Sequence, residues 1–481
     1  MLVWLESEPL VLDPVFEVSV VSRLRILLLA PDCNPEGITI PLEGYCQAEA
    51  LAQRHDVTLV ARPASEDALR RAQAPFRAIE FIGMPWLEHL HAWTLRRIFK
   101  FNYRSQVLTA FTVPLSMAFE WRVWRHLRRR ISAGEFDVVL RLLPLNTVCP
   151  SPLAFFLRKG PIPFVLGPLN GGLPWPQGFS QAKDQKQWIS PLRALYRLLP
   201  FARSTYPYAT AIIAGSSHTY CELGVHRNKL FYVPENGLSR SILSADLRGP
   251  EYNDKLELIF AGSLVPYKAC DLALRAAASL LRSDLARFTV LGDGPERGRL
   301  EQLTRSLGID KAVSFLGSVS HSEVLKLLGL ADVFVFPSVR EFGGAVVVEA
   351  LAAGAVPVVA DFGGPGDNVH PDVGFKVPLR SEDDVISQIE SILTRLAHDR
   401  RSLDSLRRRG MLYARESFSW DAKAQRITRI LDWAVGRGPK PDFPPPKPIA
   451  AGSGSLEKSD AVRHGPADRF TERWPSGRLG D

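Results

Sequence analysis

Short apolar runs alternate along the chain with longer stretches in which apolar residues recur at helical spacing. The runs at 24–30, 57–61, 79–82, 137–142, 163–166 and 211–214 have the length and continuity of strands buried on both faces. A second series follows at 256–261, 288–291, 313–316, 332–336 and 355–360. Strands alternating with helices need crossover connections, so the pattern predicts an α/β fold of two doubly wound, Rossmann-like domains. The chain divides accordingly into a leader over 1–22 expected to be disordered, a first domain over 23–237, a polar linker over 238–255 and a second domain over 256–435. Beyond Gly436, eight prolines and a Gly-Ser-Gly-Ser segment cannot build a core, and 436–481 is expected to be a disordered tail.

Ligands of open α/β sheets sit at the carboxyl ends of the strands. The strongest chemistry there lies within 332–360, where a helix over 344–353 is predicted between two strands. Glu341 stands in the loop leaving the first strand and Glu349 in the helix; Gly343 and Gly344 between them leave backbone N–H groups unshielded. Two carboxylates beside open amides suit sugar hydroxyls next to a phosphate. Loop 262–268 ends in Lys268, just before a helix predicted over 271–282, and that helix N-terminus and the ammonium together suit a diphosphate. In the first domain the loop 31–41, with Gly37, and the glycine- and proline-rich loop 167–176, with Gly171 and Gly172, occupy the corresponding places. Loop 31–41 lacks the dinucleotide fingerprint, and in Gly292-Asp293-Gly294-Pro295 the proline and the spacing break it.

The spacing Glu341-x7-Glu349, set between Pro337-Ser338 and the run Ala350-Leu351-Ala352-Ala353-Gly354-Ala355-Val356-Pro357-Val358-Val359, resembles the donor-sugar motif of family 4 retaining glycosyltransferases. The resemblance runs from about 24 to 435 and is strongest over 262–369. It implies two facing domains of the GT-B type, a UDP-, GDP- or ADP-linked sugar on the second, a glycan or lipid-linked acceptor on the first, a last helix crossing back, and no metal or other cofactor. By the same resemblance Glu341 binds the donor sugar, Glu349 the ribose hydroxyls and Lys268 the diphosphate. Gly317 and Val319 lie near the base, and Ser263, Phe342, Gly343 and Gly344 complete the donor side. Ser263 stands where the family has an arginine, and Ala269 where it has a glycine. Where the family places an acceptor-side histidine, the chain reads Leu140-Arg141-Leu142-Leu143-Pro144, which leaves Arg141 with Gly37, Gly171 and Gly172 as acceptor-side residues. The function implied is sugar transfer with retention; a nucleotide-sugar epimerase and a non-catalytic nucleotide-sugar-binding protein are the alternatives. A two-carboxylate glycosidase is disfavoured, since two glutamates on one loop-helix element cannot flank a bond from opposite sides.

Composition refines this picture. Apolar residues make up 46% of the chain and charged residues 23%, the balance of a globular protein. Five isolated cysteines show no metal-ligand spacing and read as reduced thiols of a cytoplasmic protein. Acidic residues before Arg23 exclude a secretory leader, and no run reaches transmembrane length. The net charge of +8 has a local focus: 96–130 carries nine Arg or Lys against one acid, Glu120, interleaved with aromatics. In a helix Trp121, Trp124, Leu127 and Ile131 would share one face. The plain reading is an apolar stripe facing the core under a solvated basic face, and the sharper one an anionic membrane surface met from the cytoplasmic side. Nucleic acid is not expected, because no recognised binding module accompanies the charge.

Overall fold

Residues 22–88, 107–176, 179, 199–244 and 254–446 are described by the computed structural model. The first sheet holds seven parallel strands in the order β3-β2-β1-β4-β5-β6-β7. These are Arg25–Leu29 (β1), Asp56–Ala61 (β2), Ala78–Phe81 (β3), Val138–Arg141 (β4), Phe164–Leu169 (β5), Ala211–Ala214 (β6) and Leu230–Tyr232 (β7). The second sheet holds six, in the order β10-β9-β8-β11-β12-β13, also parallel. They are Leu256–Ala261 (β8), Ala286–Leu291 (β9), Val313–Gly317 (β10), Val333–Phe336 (β11), Val356–Ala360 (β12) and Phe375–Val377 (β13). The apolar runs become central strands because helices cover both faces of each sheet. The strands β7 and β13 escape the sequence pattern because each pairs only three residues.

In both sheets the strand order reverses at one place, between β1 and β4 and between β8 and β11. Loops leaving neighbouring strands diverge at such a reversal and open a crevice. In the second domain those loops carry Lys268 and Glu341; in the first they carry Gly37 and the 142–151 turn.

The last helix, Trp420–Ala434, leaves the second domain and packs on the helix Ile40–Arg54 of the first. Ile427, Ile430 and Leu431 are buried there with Leu51 and Ala48, each large side chain contributing about 1.5–3 kcal/mol by burial. The two crossings between domains lie side by side: Leu238 N donates to Phe418 O at 2.7 Å and Trp420 N to Leu238 O at 3.3 Å.

Three expectations are corrected. The linker does not run free from 238, because Leu238 and Ile242 are buried against Leu325, Val348, Leu351 and Phe418 of the second domain. The tail does not lose the core at 436: Phe443 is buried in the first domain, its carbonyl accepts from Tyr232 N at 2.9 Å, and Arg429 lies 5.0 Å over its ring. In the basic helix Val107–Ser132 the buried stripe is Phe119, Val123, Leu127 and Ile131, whereas Trp121 is 47% exposed. Trp121 has the size and apolarity of a core residue, yet its ring lies outside and carries the Arg125 guanidinium at 4.8 Å. The rest of 96–130, up to 106, lies outside the described residues.

Candidate functional site

Of the residues expected on the donor side, Lys268 and Glu341 meet at the strand-order reversal of the second sheet. Lys268 ends a short 3-10 turn, Pro266–Lys268, after β8, and its ammonium bonds the Glu341 carboxylate on the loop after β11. Both side chains are largely but not fully covered, and the ammonium also lies 4.9 Å over the Phe336 ring. The following residue, Ala269, adopts a left-handed conformation (φ 53°) that costs a residue with a Cβ energy; this is the position where glycine would be unstrained. The helix Cys270–Arg282 starts there, so its positive end lies next to Lys268.

Glu349 sits on the helix Ala345–Ala353 and bonds the His321 ring at 2.9 Å. That bond raises the affinity of His321 for a proton, against the smaller effect of burial. The backbone between the two glutamates is shaped by close contacts. A Cβ on Gly343 would lie 2.6 Å from the Asn236 amide, and Asn368 Nδ2 donates to the Gly343 carbonyl at 2.7 Å. Gly363 has φ 61°, and a Cβ there would lie 2.3 Å from the Glu341 carbonyl, so only glycine lets the short helix Gly363–Asn368 begin against Glu341, whose carbonyl accepts from Gly364 N at 3.0 Å. Gly344 begins the helix, and Phe342 lies beneath the Arg340 guanidinium at 5.6 Å. Ser263 precedes Leu264 in the turn after β8, where Leu264 N bonds the Asp293 carbonyl at 3.0 Å. Gly317, buried at the end of β10, accepts from Gly292 N at 2.8 Å, and Val319 follows half-buried.

The first-domain residues divide. Gly171 N donates to Thr219 Oγ1 at 2.7 Å, and the Gly172 backbone hydrogen-bonds His218. The same loop reaches the second domain, where Arg340 Nε donates to the Leu173 carbonyl at 3.1 Å and stacks on Trp175 at 5.1 Å. Gly37 lies in the turn before the first helix, its N–H on the Asn34 carbonyl. Arg141 does not face the cleft: it is 1% exposed, and Nη1 donates to Glu120 at 3.3 Å and to the Cys149 carbonyl at 3.1 Å. Glu120 in turn accepts from Ser151 Oγ and Leu153 N, so this is an ion pair inside the domain. From sequence, the end of β4 looks like a cleft position; the turn after it folds over the arginine.

Several functional-looking residues carry no local motif. Glu235, in the loop after β7, is half-buried and accepts from Asn170 Nδ2. Asn170 is held by Ser216 Oγ at 2.9 Å. Burial, reinforced by the Glu43 and Glu341 carboxylates and opposed by Asn170 and Lys423, pushes the Glu235 carboxyl up to about 7. Lys423, from the last helix, is fully buried and donates to the Glu235 and Asn236 carbonyls; burial pulls its ammonium down to about 7, against the pull of Glu43 and Glu235. Asp367 accepts from Ser217 N at 2.8 Å and Ser217 Oγ at 2.5 Å across the domain junction, and burial raises its carboxyl to about 6. The carboxylate before Asn236-Gly237, in a turn between the domains, is the one local signal that could have marked Glu235.

Residues 247–406 match the model of the family described as Glycosyl transferases group 1. The chain is 30% identical over 184 residues to an uncharacterized glycosyltransferase of Methanocaldococcus jannaschii, covering 38% of this chain and 46% of that one. It is also 30% identical over 223 residues to the D-inositol 3-phosphate glycosyltransferase of Rhodococcus erythropolis, covering 44% and 49%. The chain thus spans about half the length of the curated relatives it matches. Among solved structures, Anabaena HepE in complex with UDP superposes with a TM-score of 0.54 at 16% identity, over 85% of this chain and all of that one. The fold is therefore of the GT-B class, two facing parallel-sheet α/β domains.

Proposed function

We propose that the protein moves a sugar, with retention of configuration, from a nucleotide-sugar donor on the second domain to a glycan or lipid-linked acceptor on the first. The observation that carries this reading is the Lys268–Glu341 pair, set at the strand-order reversal beside glycine turns and a helix N-terminus. An entering diphosphate competes with Glu341 for the ammonium, and a sugar hydroxyl competes with Lys268 for the carboxylate, so one donor satisfies both. As the bond from the anomeric carbon to the diphosphate breaks, negative charge grows on the leaving oxygen. Lys268 and the backbone N–H groups take up that charge in this reading, with no metal. Glu349 holds the ribose and Glu341 fixes the sugar ring for attack.

The lipid-linked form of the acceptor draws on two surfaces. Ile38, Ile40 and Leu42 stand exposed where the loop after β1 meets the first helix. On the basic helix Trp121, Arg122, Arg125, Arg128 and Arg129 face solvent together, a surface that suits anionic lipid headgroups on the cytoplasmic side. No helix among the described residues is long and apolar enough to cross a membrane. The relative acting on D-inositol 3-phosphate supports a polyol or its lipid among the acceptors to be tried.

A thermal-shift screen over UDP-glucose, UDP-N-acetylglucosamine, GDP-mannose and ADP-glucose tests the donor reading, because a ligand of the folded state raises Tm by mass action. Stabilisation by at least one of them, followed by nucleoside diphosphate release that depends on an added acceptor, is expected. No stabilisation by any nucleotide sugar or free nucleotide would sink it.

A further inference from the structure

Glu235 is built into the wall opposite the donor residues. Its neighbour Asn236 packs on Gly343, so the loop after β7 lies directly against the turn that follows Glu341. One carboxylate oxygen, Oε2, is engaged by Asn170, whose amide is turned that way because its own oxygen accepts from Ser216. Among the described residues Oε1 has no hydrogen-bond partner, and the side chain retains some exposure. The backbone of the loop is pinned from behind by Lys423 through the carbonyls of Glu235 and Asn236. The charged groups facing this carboxyl are therefore Glu43 on the first helix, Lys423 on the last and Glu341 across the junction, with Cys46 beside Lys423.

We propose that Glu235 is the acceptor-side catalytic carboxyl, which binds the incoming hydroxyl through Oε1 and takes its proton as the glycosidic bond forms. The inference rests on the donor reading above. In the step, the acceptor O–H bond breaks and its proton passes to the Glu235 carboxylate. The bond from the anomeric carbon to the diphosphate breaks with its electron pair leaving on the nucleoside diphosphate, and the acceptor oxygen bonds that carbon on the face the diphosphate leaves, so the configuration is retained. A base must be ionised to act yet basic enough to hold the proton, and a carboxyl lifted to about 7 meets both conditions near neutral pH. Asn170 is a positioning residue: by donating to the carboxylate it favours the charged form.

The test uses the full chain, the nucleotide sugar that stabilises it most in the screen above, and water as the acceptor, with donor hydrolysis followed against pH. In the wild type the rate rises with pH through a midpoint near 7, as Glu235 ionises. Glu235→Gln is expected to slow hydrolysis on the order of 10²-fold or more and to abolish that limb, with donor affinity kept within about twofold. Asn170→Ala is expected to move the midpoint upward, since the lost donor had stabilised the carboxylate. Hydrolysis by Glu235→Gln within about threefold of wild type, or a limb kept at its old midpoint, overturns the proposal. If Glu235→Gln does not fold, the Asn170→Ala midpoint decides: an upward move supports the proposal and an unmoved one overturns it. Failure of every nucleotide sugar to bind the wild type removes the donor reading and this proposal together, whereas normal binding with unaltered hydrolysis removes Glu235 alone.

Discussion

The two halves of the cleft are assembled differently. On the second domain the residues proposed to hold the donor lie within a few residues of the strands they follow: Lys268 after β8, Gly317 at the end of β10 and Val319 just beyond it, and Glu341 to Gly344 after β11, with the short helix Gly363–Asn368 after β12 packed beside them. Opposite them, the carboxyl of Glu235 depends on Asn170 after β5, Ser216 after β6, Glu43 from the first helix and Lys423 from near the chain's end. The contrast has a physical cause. Phosphates and hydroxyls can be met by solvent-edge charges and backbone amides, which a short segment supplies by itself. Covering part of a carboxyl requires a partner for the covered oxygen and for neighbouring charges, and those come from wherever the fold brings them.

The largest effect should separate the halves outright. Lys268→Ala and Glu341→Ala are each expected to lower transfer on the order of 10²-fold or more while Tm changes little, because both side chains stand at loop edges. Steady-state turnover with saturating donor checks this, and wild-type turnover in either variant would show that the cleft is organised around other groups. Next in size, Phe443→Ala is expected to cost about 3 kcal/mol, seen as a lower Tm, because it empties a buried place in the first-domain core. Donor affinity should survive, since Phe443 packs in the core of the first domain.

A smaller effect tests whether the first domain alone faces lipid. Exposed arginines near an anionic surface contribute about 1 kcal/mol each. Arg125→Glu with Arg129→Glu should therefore weaken co-sedimentation with anionic vesicles, wild-type binding should fade at high salt, and neutral vesicles should bind little. Equal binding to both vesicle types would return the helix to an ordinary solvated face. The subtlest difference lies at the junction. The fold raises the Asp367 carboxyl to about 6, so its protonated form is favoured on folding. The stability this contributes is present below the ordinary carboxylate range and is lost as pH rises through 6. The Tm of the wild type should accordingly fall relative to that of Asp367→Asn between pH 4 and pH 7, roughly the window set by this shift. Parallel Tm curves would show that Asp367 is not held as the geometry indicates.

The same contrast sets what sequence could reveal. Alternating apolar runs located eleven of the thirteen strands, because a strand inside a parallel sheet is apolar on both faces; β7 and β13 were too short to leave that trace. The places of Lys268 and Glu341 in loops and of Glu349 in a helix were legible, because the apolar runs on either side bound those segments. Arg141 misled, since its place at a strand end says nothing about Glu120, which meets it from a helix twenty-one positions earlier. Trp121 misled in the opposite sense, being large and apolar yet kept at the surface beneath Arg125. Lys423 could not be found at all, for a lysine on an amphipathic helix is ordinarily solvated, and only the crossing of that helix onto the first domain buries it.

That crossing also bears on how the protein is made. The helix Trp420–Ala434 and Phe443 fill the core of the domain whose first strand begins at Arg25. During synthesis the first domain leaves the ribosome long before its last packing partners exist, and the surface around Ala48 and Leu51 stays uncovered while the whole second domain is translated. The carboxyl end thus acts as the closing piece of the amino-terminal fold. A fragment ending at 237 would lack it and present that bare face to other chains, whereas the same fragment supplied with residues 420–446 on a linker should fold as a unit.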